Sequence, residues 1–266
     1  TQSLTAIDVG LLRSIPAAVF LLPFIVKRGL KPKGANWGDI LFIGGIGGTV
    51  FTLLLASGYR FAPTVDGGLF TPSMLPVFVA VIAITVLGRR YSVVQFLGIA
   101  TILTGALAVG GFEAISNASS GAWRGHLLFL TASVCWSAYT VRFNISGLDT
   151  VDGAIVLVGW SGIAFAALAL VFGSNLGTIP LPVLAVQVFQ GIMAGLVANF
   201  TFLFSVRRLG TAIPAAASAM VPVMAALGGW MFLGEPISSL KWFGIAIVCC
   251  GVVLASGVVT FGKAPE

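Results

Sequence analysis

The sequence predicts an all-α polytopic membrane protein built from two inverted five-helix repeats, and three observations predict it. Hydrophobic residues make up 58% of the 266 residues and charged residues only 8%, with a mean hydropathy of +1.07. This composition leaves too few polar side chains to cover a soluble globule. Apolar stretches of about 20 residues, long enough to cross a bilayer, follow one another along the chain. Residues 74–105 recur without a gap as residues 220–251.

The repeat relates two halves of the chain by an offset of 146 residues. Halves that contain an odd number of helices insert upside down relative to each other and build a site near the membrane midplane. We therefore expect a first inverted repeat at residues 1–115 and a second at residues 116–266, with a cavity between them. The identical positions include Met74/Met220, Pro76/Pro222, Gly88/Gly234, Ser92/Ser238, Gly98/Gly244 and Gly105/Gly251.

The apolar stretches predict nine transmembrane helices. They are apolar on every side, whereas strands of a membrane barrel would alternate apolar and polar residues. The connections are short and contain Gly, Pro, Ser or paired basic residues, and the 34 glycines let helix backbones approach closely in lipid. In chain order, the predicted spans are residues 9–26, 38–60, 67–87, 91–110, 125–144, 151–172, 183–205, 210–232 and 238–260.

The distribution of Lys and Arg predicts the orientation, because cytoplasmic loops retain basic residues. If the spans alternate, most of the 14 basic residues fall on one side. That side is predicted to be cytoplasmic, so residue 1 starts outside and the C-terminus of this multi-pass protein lies in the cytoplasm. The same rule explains the net charge of +6 without a nucleic-acid partner. The basic residues on that side are Lys27, Arg28, Lys31, Lys33, Arg89, Arg90, Arg142, Arg207, Arg208 and Lys263.

The repeat offset also predicts a tenth helix. Subtracting 146 from the span 151–172 gives 5–26, and subtracting it from 183–205 gives 37–59, so both spans have partners in the first half. The same subtraction applied to 125–144 gives a span before residue 1, and the sequence begins with Thr rather than Met. We therefore expect an additional N-terminal helix, five helices in each half and both termini in the cytoplasm.

Four segments resemble those of a known family. LGEPISSLKWFGIAIVCCGVVLAS is similar to the closing motif of the EamA family of the drug/metabolite transporter superfamily, and LGRRYSVVQFLGIATILTGALAV keeps its glycines but has Arg89 and Arg90 in place of Glu-Pro. LLRSIPAAVFLLP resembles the second helix of the family, with Arg13 near its outer end. TAIPAAASAMVPVMAALGGWMFLGE resembles the ninth, with Pro222 at its middle.

This resemblance covers nearly the whole chain and implies a fold and an activity. The fold is an inverted five-plus-five arrangement in a bacterial inner membrane. The activity is export or exchange of small metabolites, and because members of the YddG type export aromatic amino acids, an amino acid is the leading expectation. An exporter of another metabolite or a cationic drug, or a channel-like facilitator, stays open as an alternative.

Two prolines at equivalent positions predict moving helices. Pro76 and Pro222 each remove a helix hydrogen bond in mid-span, which produces a kink or hinge, and interrupted helices at matching positions of two halves point to a transport site. The alternative is that both prolines are simply tolerated. The predicted gate consists of Pro76, Pro222, Thr71, Pro72 and Ser218.

Charges at membrane depth are functional candidates. Arg13 lies about one turn inside its span, although its side chain can reach the interface. Asp66 begins another span, where the helix dipole alone would favour it. Because no acidic residue lies in the middle of any predicted span, facilitated exchange or uniport is the simpler mechanism.

Aromatic and polar side chains within the spans are the candidates for binding substrate. Aromatic faces stack on a ligand ring or hold a cation, and hydroxyl or amide groups bind a carboxylate, although most membrane aromatic residues face lipid. Asn199 is the strongest candidate because an amide within a span needs an internal partner. The complete set is Asn199, Phe200, Phe204, Trp136, Ser137, Tyr139, Trp160, Ser161, Tyr59 and Phe51.

Several classes of chemistry are not predicted. Cys135, Cys249 and Cys250 lack ligand spacing, and the single His126 cannot form a metal cluster, so neither a metal nor another cofactor is expected. A membrane lipid enzyme needs clustered carboxylates or a nucleophile with a base, but the acidic residues are scattered. Only Asp149 and Asp152 are close together, and they are predicted to begin a helix. The expected partners are a small-molecule substrate and membrane lipid, and the oligomeric state is left open.

Overall fold

The computed structural model describes residues 4–111, 115, 121–234 and 238–257, and no β-strand occurs among them. Nine long helical segments among these residues, α1 to α9, coincide with the nine predicted spans, so the predicted all-α polytopic fold is confirmed. They are α1 (Ala6–Arg28), α2 (Trp37–Gly58), α3 (Thr64–Leu87), α4 (Val93–Ala106, continued by Leu107–Gly111), α5 (Ala122–Ser146), α6 (Thr150–Phe172), α7 (Leu181–Leu209), α8 (Ala212–Ser218 and Met220–Leu233) and α9 (Ser239–Ala255).

Six of these helices are long and apolar enough to cross a membrane, as judged by length and composition. They are α1, α2, α3, α6, α7 and α8, with 21 to 29 residues each. Helices α4 and α9 are shorter but equally apolar, whereas α5 has 25 residues and a more polar surface. A chain with this many spanning helices is a multi-pass membrane protein.

Local side-chain chemistry determines where the helices begin and end. Asp149 caps the start of α6 by accepting a hydrogen bond from the backbone N–H of Asp152, which confirms the prediction for these two carboxylates. Helices α3 and α8 end at Gly88 and Gly234, with φ angles of 61° and 67°. Only glycine adopts this left-handed conformation without strain. Equivalent helices of the two repeats therefore end with the same left-handed glycine C-cap.

The chain divides into two compact units that differ from the two sequence halves. Unit 1 contains residues 1–57 and 138–208, and unit 2 contains residues 58–137 and 209–266. Each unit takes helices from both sequence halves.

Glycines bring the helices of unit 1 into backbone contact. Gly191 and Gly195 of α7 lie against the carbonyl groups of Leu12 and Arg13 in α1, so that a methyl group at either position would approach the carbonyl oxygen to about 2 Å. Gly44 and Gly48 of α2 face α6 in the same way. Close approach through glycines four residues apart is the usual packing of helices in lipid.

Wide π-helical turns also occur in unit 1. They comprise residues Ile40–Val50 of α2, Ile155–Gly159 of α6 and Met193–Ala198 of α7. The turns of α2 and α7 overlap when the repeat offset is applied. Such turns weaken the regular ladder of a helix and often mark functional regions.

In unit 2, α4 and α9 pack antiparallel along glycines. Gly98 lies against Ala255, Gly105 against Val248 and Gly244 against Val109, at distances that leave no room for a side chain. Adding 146 to Gly98 gives Gly244, and adding it to Val109 gives Ala255, so the first and last contacts are equivalent. Equivalent helices of two inverted copies are expected to run antiparallel, as these do.

Candidate functional site

The two helices that contain the predicted hinge prolines, α3 and α8, meet in unit 2. Pro76 has no N–H, so it cannot donate to the carbonyl of Pro72 one turn earlier. The hydroxyl of Ser218 donates to this carbonyl at 2.9 Å. Residues 72 and 218 are equivalent in the repeat. We call Pro72, Pro76, Ser218 and Pro222 the proline crossing.

Helix α8 is interrupted at this level. Residues Ala212–Ser218 and Met220–Leu233 are helical, and Ala219, with ψ of −11°, separates them. Pro222 removes the N–H that would bond the carbonyl of Ser218. Helix α3 is continuous from Thr64 to Leu87 although it contains two prolines. The predicted gate residues therefore lie together, but their two helices differ.

Hydroxyl groups connect α5 to α3 beside the proline crossing. Ser133 donates to the carbonyl of Thr71 at 2.8 Å, and Thr71 is 3.4 Å from the carbonyl of Phe129. Ser137 donates to the carbonyl of Ser133 and reaches that of Leu75 at 3.5 Å. All three hydroxyls are buried. The sequence analysis included Thr71 and Ser137 but missed Ser133, whose spacing of four residues from Ser137 was the available signal.

A carboxylate and an imidazole form a pair at the N-terminal ends of α3 and α5, also in unit 2. Asp66 Oδ2 lies 2.8 Å from His126 Nε2, with side-chain exposures of 9% and 15%. The imidazole also packs on the ring of Phe70, with 4.8 Å between the ring centroids. Nearby, Tyr59 contacts Phe129 with centroids 5.4 Å apart. The sequence analysis considered His126 only as a metal ligand, and among the described residues no cluster of metal ligands is found.

Two predicted site residues from different helices lie together in unit 1, and a third lies one helical turn from a glycine that contacts the backbone of the first. The guanidinium of Arg13 in α1 lies 5.8 Å from the ring centroid of Phe51 in α2. Gly195 of α7 presses on the backbone of Arg13, and the amide of Asn199 donates to the carbonyl of Gly195 at 3.0 Å. We call Arg13, Phe51, Gly195 and Asn199 the Arg13 cluster. The Cα atom of Arg13 lies about 10 Å along the helix axis from the start of α1.

The other candidates in unit 1 have separate surroundings. Tyr139 is buried against Gly47 and lies edge-on to Phe202, with 6.3 Å between centroids. Trp160 donates to the carbonyl of Leu30 at 2.8 Å. Ser161 donates to the carbonyl of Leu157 in its own helix.

The last three aromatic candidates differ in exposure. Phe200 is half-buried, and Phe204 is 48% exposed beneath the guanidinium of Arg208. Trp136 is half-buried on the part of α5 that belongs to unit 2. An exposed ring on a membrane helix faces lipid or the interface. Of the predicted binding residues, Phe204 therefore has the weakest support from its surroundings.

Ion pairs link helices of unit 1 at the ends of these helices, away from the start of α1 where Arg13 lies. Their pairing was not predicted from the sequence. Arg28 lies 2.6 Å from Asp149 and 2.9 Å from Asp152, and Arg142 lies 2.7 Å from the buried Asp39. Burial acts to raise the pKa of Asp149, but hydrogen bonds from the backbone of Asp152 and from Arg28 outweigh it and hold that pKa below its ordinary value of 3.8. This network keeps the helix ends together.

Known proteins with similar sequences are transporters. The sequence profile described as the EamA-like transporter family matches residues 1–111 and 123–257. The uncharacterized transporter YyaM of Bacillus subtilis is 27% identical over 259 residues, which cover 94% of this chain and 83% of the relative. The uncharacterized inner membrane transporter YedA of Escherichia coli K12 is 25% identical over 264 residues, covering 94% and 80%.

Two further comparisons concern an exporter and a solved structure. The probable terminal-alkyne amino-acid exporter of Streptantibioticus cattleyicolor is 25% identical over 249 residues, covering 91% of this chain and 79% of the relative. A crystal structure of a protein superposes with a TM-score of 0.75 over 94% of this chain and 88% of that chain. Its sequence identity is 18%, so this match shows a shared fold alone.

Proposed function

Since the chain belongs to the EamA-like transporter family, we propose that it exports or exchanges amino acids, aromatic ones first, by alternating access. The members of this family are transporters rather than enzymes, so the chain is a multi-pass membrane transporter with a small-molecule substrate. The amino-acid exporter among its relatives supports the substrate class. The chemistry of the residues in the Arg13 cluster also supports an amino-acid substrate.

The Arg13 cluster is the observation that carries the proposal. An amino acid presents a carboxylate, an ammonium group and a side chain. Arginine forms strong charge-assisted hydrogen bonds with a carboxylate, the ring of Phe51 offers an aromatic face to an aromatic side chain, and Asn199 supplies a polar amide. Glycines bring α7 into backbone contact with α1 and α2 into contact with α6, which restricts the movement of the helices that carry these groups.

The proline crossing supplies the movement that alternating access requires. The hydroxyl of Ser218 lies 2.9 Å from the carbonyl of Pro72 and 2.6 Å from that of Ala215 in its own helix. If α3 and α8 move apart, this hydroxyl keeps an acceptor in α8, which limits the free energy lost. We infer that the prolines let both helices bend during transport.

The proposed location is a bacterial inner membrane with the C-terminus in the cytoplasm. The predicted excess of Lys and Arg on one side supports this orientation. The description of the relative YedA as an inner membrane transporter supports the compartment. Accessibility of single cysteines introduced at the C-terminus and at Arg124, probed with an impermeant thiol reagent in whole cells, would test the orientation.

Counterflow in proteoliposomes tests the proposed substrate class. Vesicles preloaded with unlabelled substrate would receive labelled Phe, Tyr, Trp, Leu, Lys or Glu, a cationic drug, or a sugar phosphate. We expect saturable exchange of the aromatic amino acids. Exchange of the drug or the sugar phosphate alone would refute an amino-acid carrier, and flux without saturation or counterflow would favour a channel.

A matched pair of arginine variants tests the role of the Arg13 cluster. Arg13 and Arg124 each lie over an aromatic ring, at 5.8 and 5.7 Å, but Arg124 is exposed. Arg13→Gln should raise the KM for phenylalanine about tenfold or more, because a charge-assisted hydrogen bond contributes about 1.5–3 kcal/mol. Arg124→Gln should leave KM unchanged. Equal KM values for both variants and the parent protein would remove Arg13 from the binding site.

A further inference from the structure

Asp66 and His126 in unit 2 form a pair of ionisable side chains at the N-terminal ends of two helices, and substrate binding by the Arg13 cluster does not use this pair. Asp66 is 6% exposed in the first turn of α3. Its carboxylate contacts an imidazole from another helix at 2.8 Å. Ionisable side chains within membrane helices are costly and commonly mark ion or proton pathways. A buried ionisable pair that joins two helices is therefore a candidate for a function in transport.

The pair connects α5 to the proline-containing helix α3. The two helices run parallel, because later residues of α5 contact later residues of α3. His126 contacts Asp66, whereas Phe129 and Ser133 both contact Thr71. Phe70, four residues after Asp66, packs on the imidazole. Any change in the bond between Asp66 and His126 is thus transmitted to the end of the helix that carries Pro72 and Pro76.

Few other ionisable groups surround the pair in the described part of the chain. The adjoining turn contributes Tyr59 and Arg60, both exposed. Helix α5 contributes Arg124, which is exposed and lies over the ring of Trp123. Asp66 is the only acidic residue of α3. Among the described residues of unit 2, no ion pair other than Asp66–His126 involves either side chain.

We propose that Asp66 and His126 together form the binding site for a proton that drives amino-acid export. One proton binds to the pair from the outer side and is released inside, while one zwitterionic amino acid leaves, so each cycle moves one positive charge inward. An imidazole has two ring nitrogens, so His126 can contact Asp66 through Nε2 and still accept or release a proton at Nδ1. This inference rests on the proposed function, and it adds coupling to a carrier for which the sequence predicts simple exchange.

Coupling follows from the change in strength of one hydrogen bond. With a proton on the pair, imidazolium and carboxylate form a charge-assisted bond that is stronger than the bond formed by neutral imidazole. A conformation in which α3 lies against α5 therefore binds the proton more tightly than one in which they separate. By linkage, proton binding favours that conformation to the same extent. A proton gradient then biases the movement of α3.

A pH gradient across proteoliposomes tests the proposal. With K⁺ and valinomycin holding the membrane potential at zero, vesicles with a lumen one pH unit more acidic than the medium should accumulate labelled phenylalanine up to about tenfold, since one pH unit at 1:1 stoichiometry corresponds to a tenfold ratio. Antiport gives this result for either orientation of the carrier. Collapse of the gradient with a protonophore should abolish accumulation. If the parent protein shows counterflow but no accumulation, coupling is refuted while the proposed function survives, and if it shows no counterflow, the proposed function itself fails.

Variants connect the coupling to the pair. Asp66→Asn and His126→Gln should each reduce pH-driven accumulation at least fivefold while keeping more than half of the counterflow rate, because exchange needs no net proton movement. Asp149→Asn, at an exposed carboxylate in unit 1, should keep both activities. Thr71→Val weakens the same contact between α3 and α5 without an ionisable group, and it should lower both activities in parallel. Parallel loss of both activities in Asp66→Asn and His126→Gln would show a structural role and overturn the proposal.

Discussion

Helices α3 and α8 occupy equivalent positions in the repeat and carry prolines at equivalent positions, yet one is continuous and the other is interrupted. Both end at a left-handed glycine. The break in α8 falls at Ala219, three residues before Pro222, whereas α3 passes through the equivalent Ser73 as a regular helix. The same local chemistry therefore produces two different helices.

The neighbouring helix explains the difference. Ser133 and Ser137 of α5 place hydroxyls along the carbonyl groups of Thr71 and Leu75, and the hydroxyl of Ser218 supplies the donor that Pro76 removes. Buried carbonyl groups in a membrane helix need such donors. A proline therefore weakens a helix by an amount that depends on which side chains replace the lost hydrogen bond.

Replacing the proline of the interrupted helix should have the largest effect. Pro222→Ala restores an N–H for the carbonyl of Ser218, and a mid-helix proline costs about 3 kcal/mol. If transport requires α8 to bend, we expect the exchange rate to fall about thirtyfold, or roughly 2 kcal/mol in the barrier, while the folded yield is maintained. Initial counterflow rates per unit of purified protein measure this. A rate within twofold of the parent protein would contradict the hinge.

Removing the hydroxyl at the crossing should have the next largest effect. Ser218→Ala leaves the buried carbonyl of Pro72 without its side-chain donor, which costs about 1–2 kcal/mol, seen as a lower Tm in detergent. Adding Pro76→Ala supplies a backbone N–H to the same carbonyl and should recover most of the loss, a non-additivity that a double-mutant cycle detects. Thr85→Ala, which removes an exposed hydroxyl from α3, is the control. Additive effects of the two substitutions would show that they do not share an acceptor.

The proline of the continuous helix should have a smaller effect on rate. In Pro76→Ala, the new N–H bonds a carbonyl that Ser218 already satisfies, and α3 is continuous in either case. We expect the counterflow rate to fall about threefold, or roughly 0.7 kcal/mol. A decrease as large as that of Pro222→Ala would mean that both helices bend equally, and the contrast between them would lose its functional meaning.

The smallest effect should follow from weakening the support of α3. Ser133→Ala removes one hydroxyl donor to Thr71, a loss of about 0.5 kcal/mol, because the backbone ladder of α3 remains. Hydrogen exchange of residues 71–76 should become faster in this variant and approach that of residues 217–222 in α8. Unchanged exchange in α3 would show that support from α5 does not explain its continuity.

These contrasts also indicate how much the sequence could predict. The nine helices of the described part of the chain were predicted from apolar stretches, because the bilayer requires about 20 apolar residues for each span, and six of them are long and apolar enough to cross it. The prolines predicted that α3 and α8 contain kinks or hinges, but the continuity of α3 involves hydroxyls from α5 such as that of Ser133, which is 62 residues away from Thr71 in the chain. Such contacts depend on packing, which periodicity does not describe.

The site was predicted in part for the same reason. Arg13, Phe51 and Asn199 were each predicted from their chemistry, but the role of Gly195, which allows α7 to touch α1 one turn before Asn199, was not. Asp66 was predicted as an intramembrane charge, and its partner His126 was missed because 60 residues separate them. Residue types indicated the chemistry, while close packing through glycine decided which groups meet.

The glycine contacts between α4 and α9 have a consequence for the origin of the molecule. Because Gly98 meets Ala255 as Gly244 meets Val109, each helix presents the same surface to an inverted copy of itself. A surface that is complementary to itself is what a two-fold homodimer uses. A single ancestral repeat could thus have assembled as an antiparallel pair through this surface before gene duplication joined the two copies, and separately expressed halves that retain it have a ready-made route to reassociation.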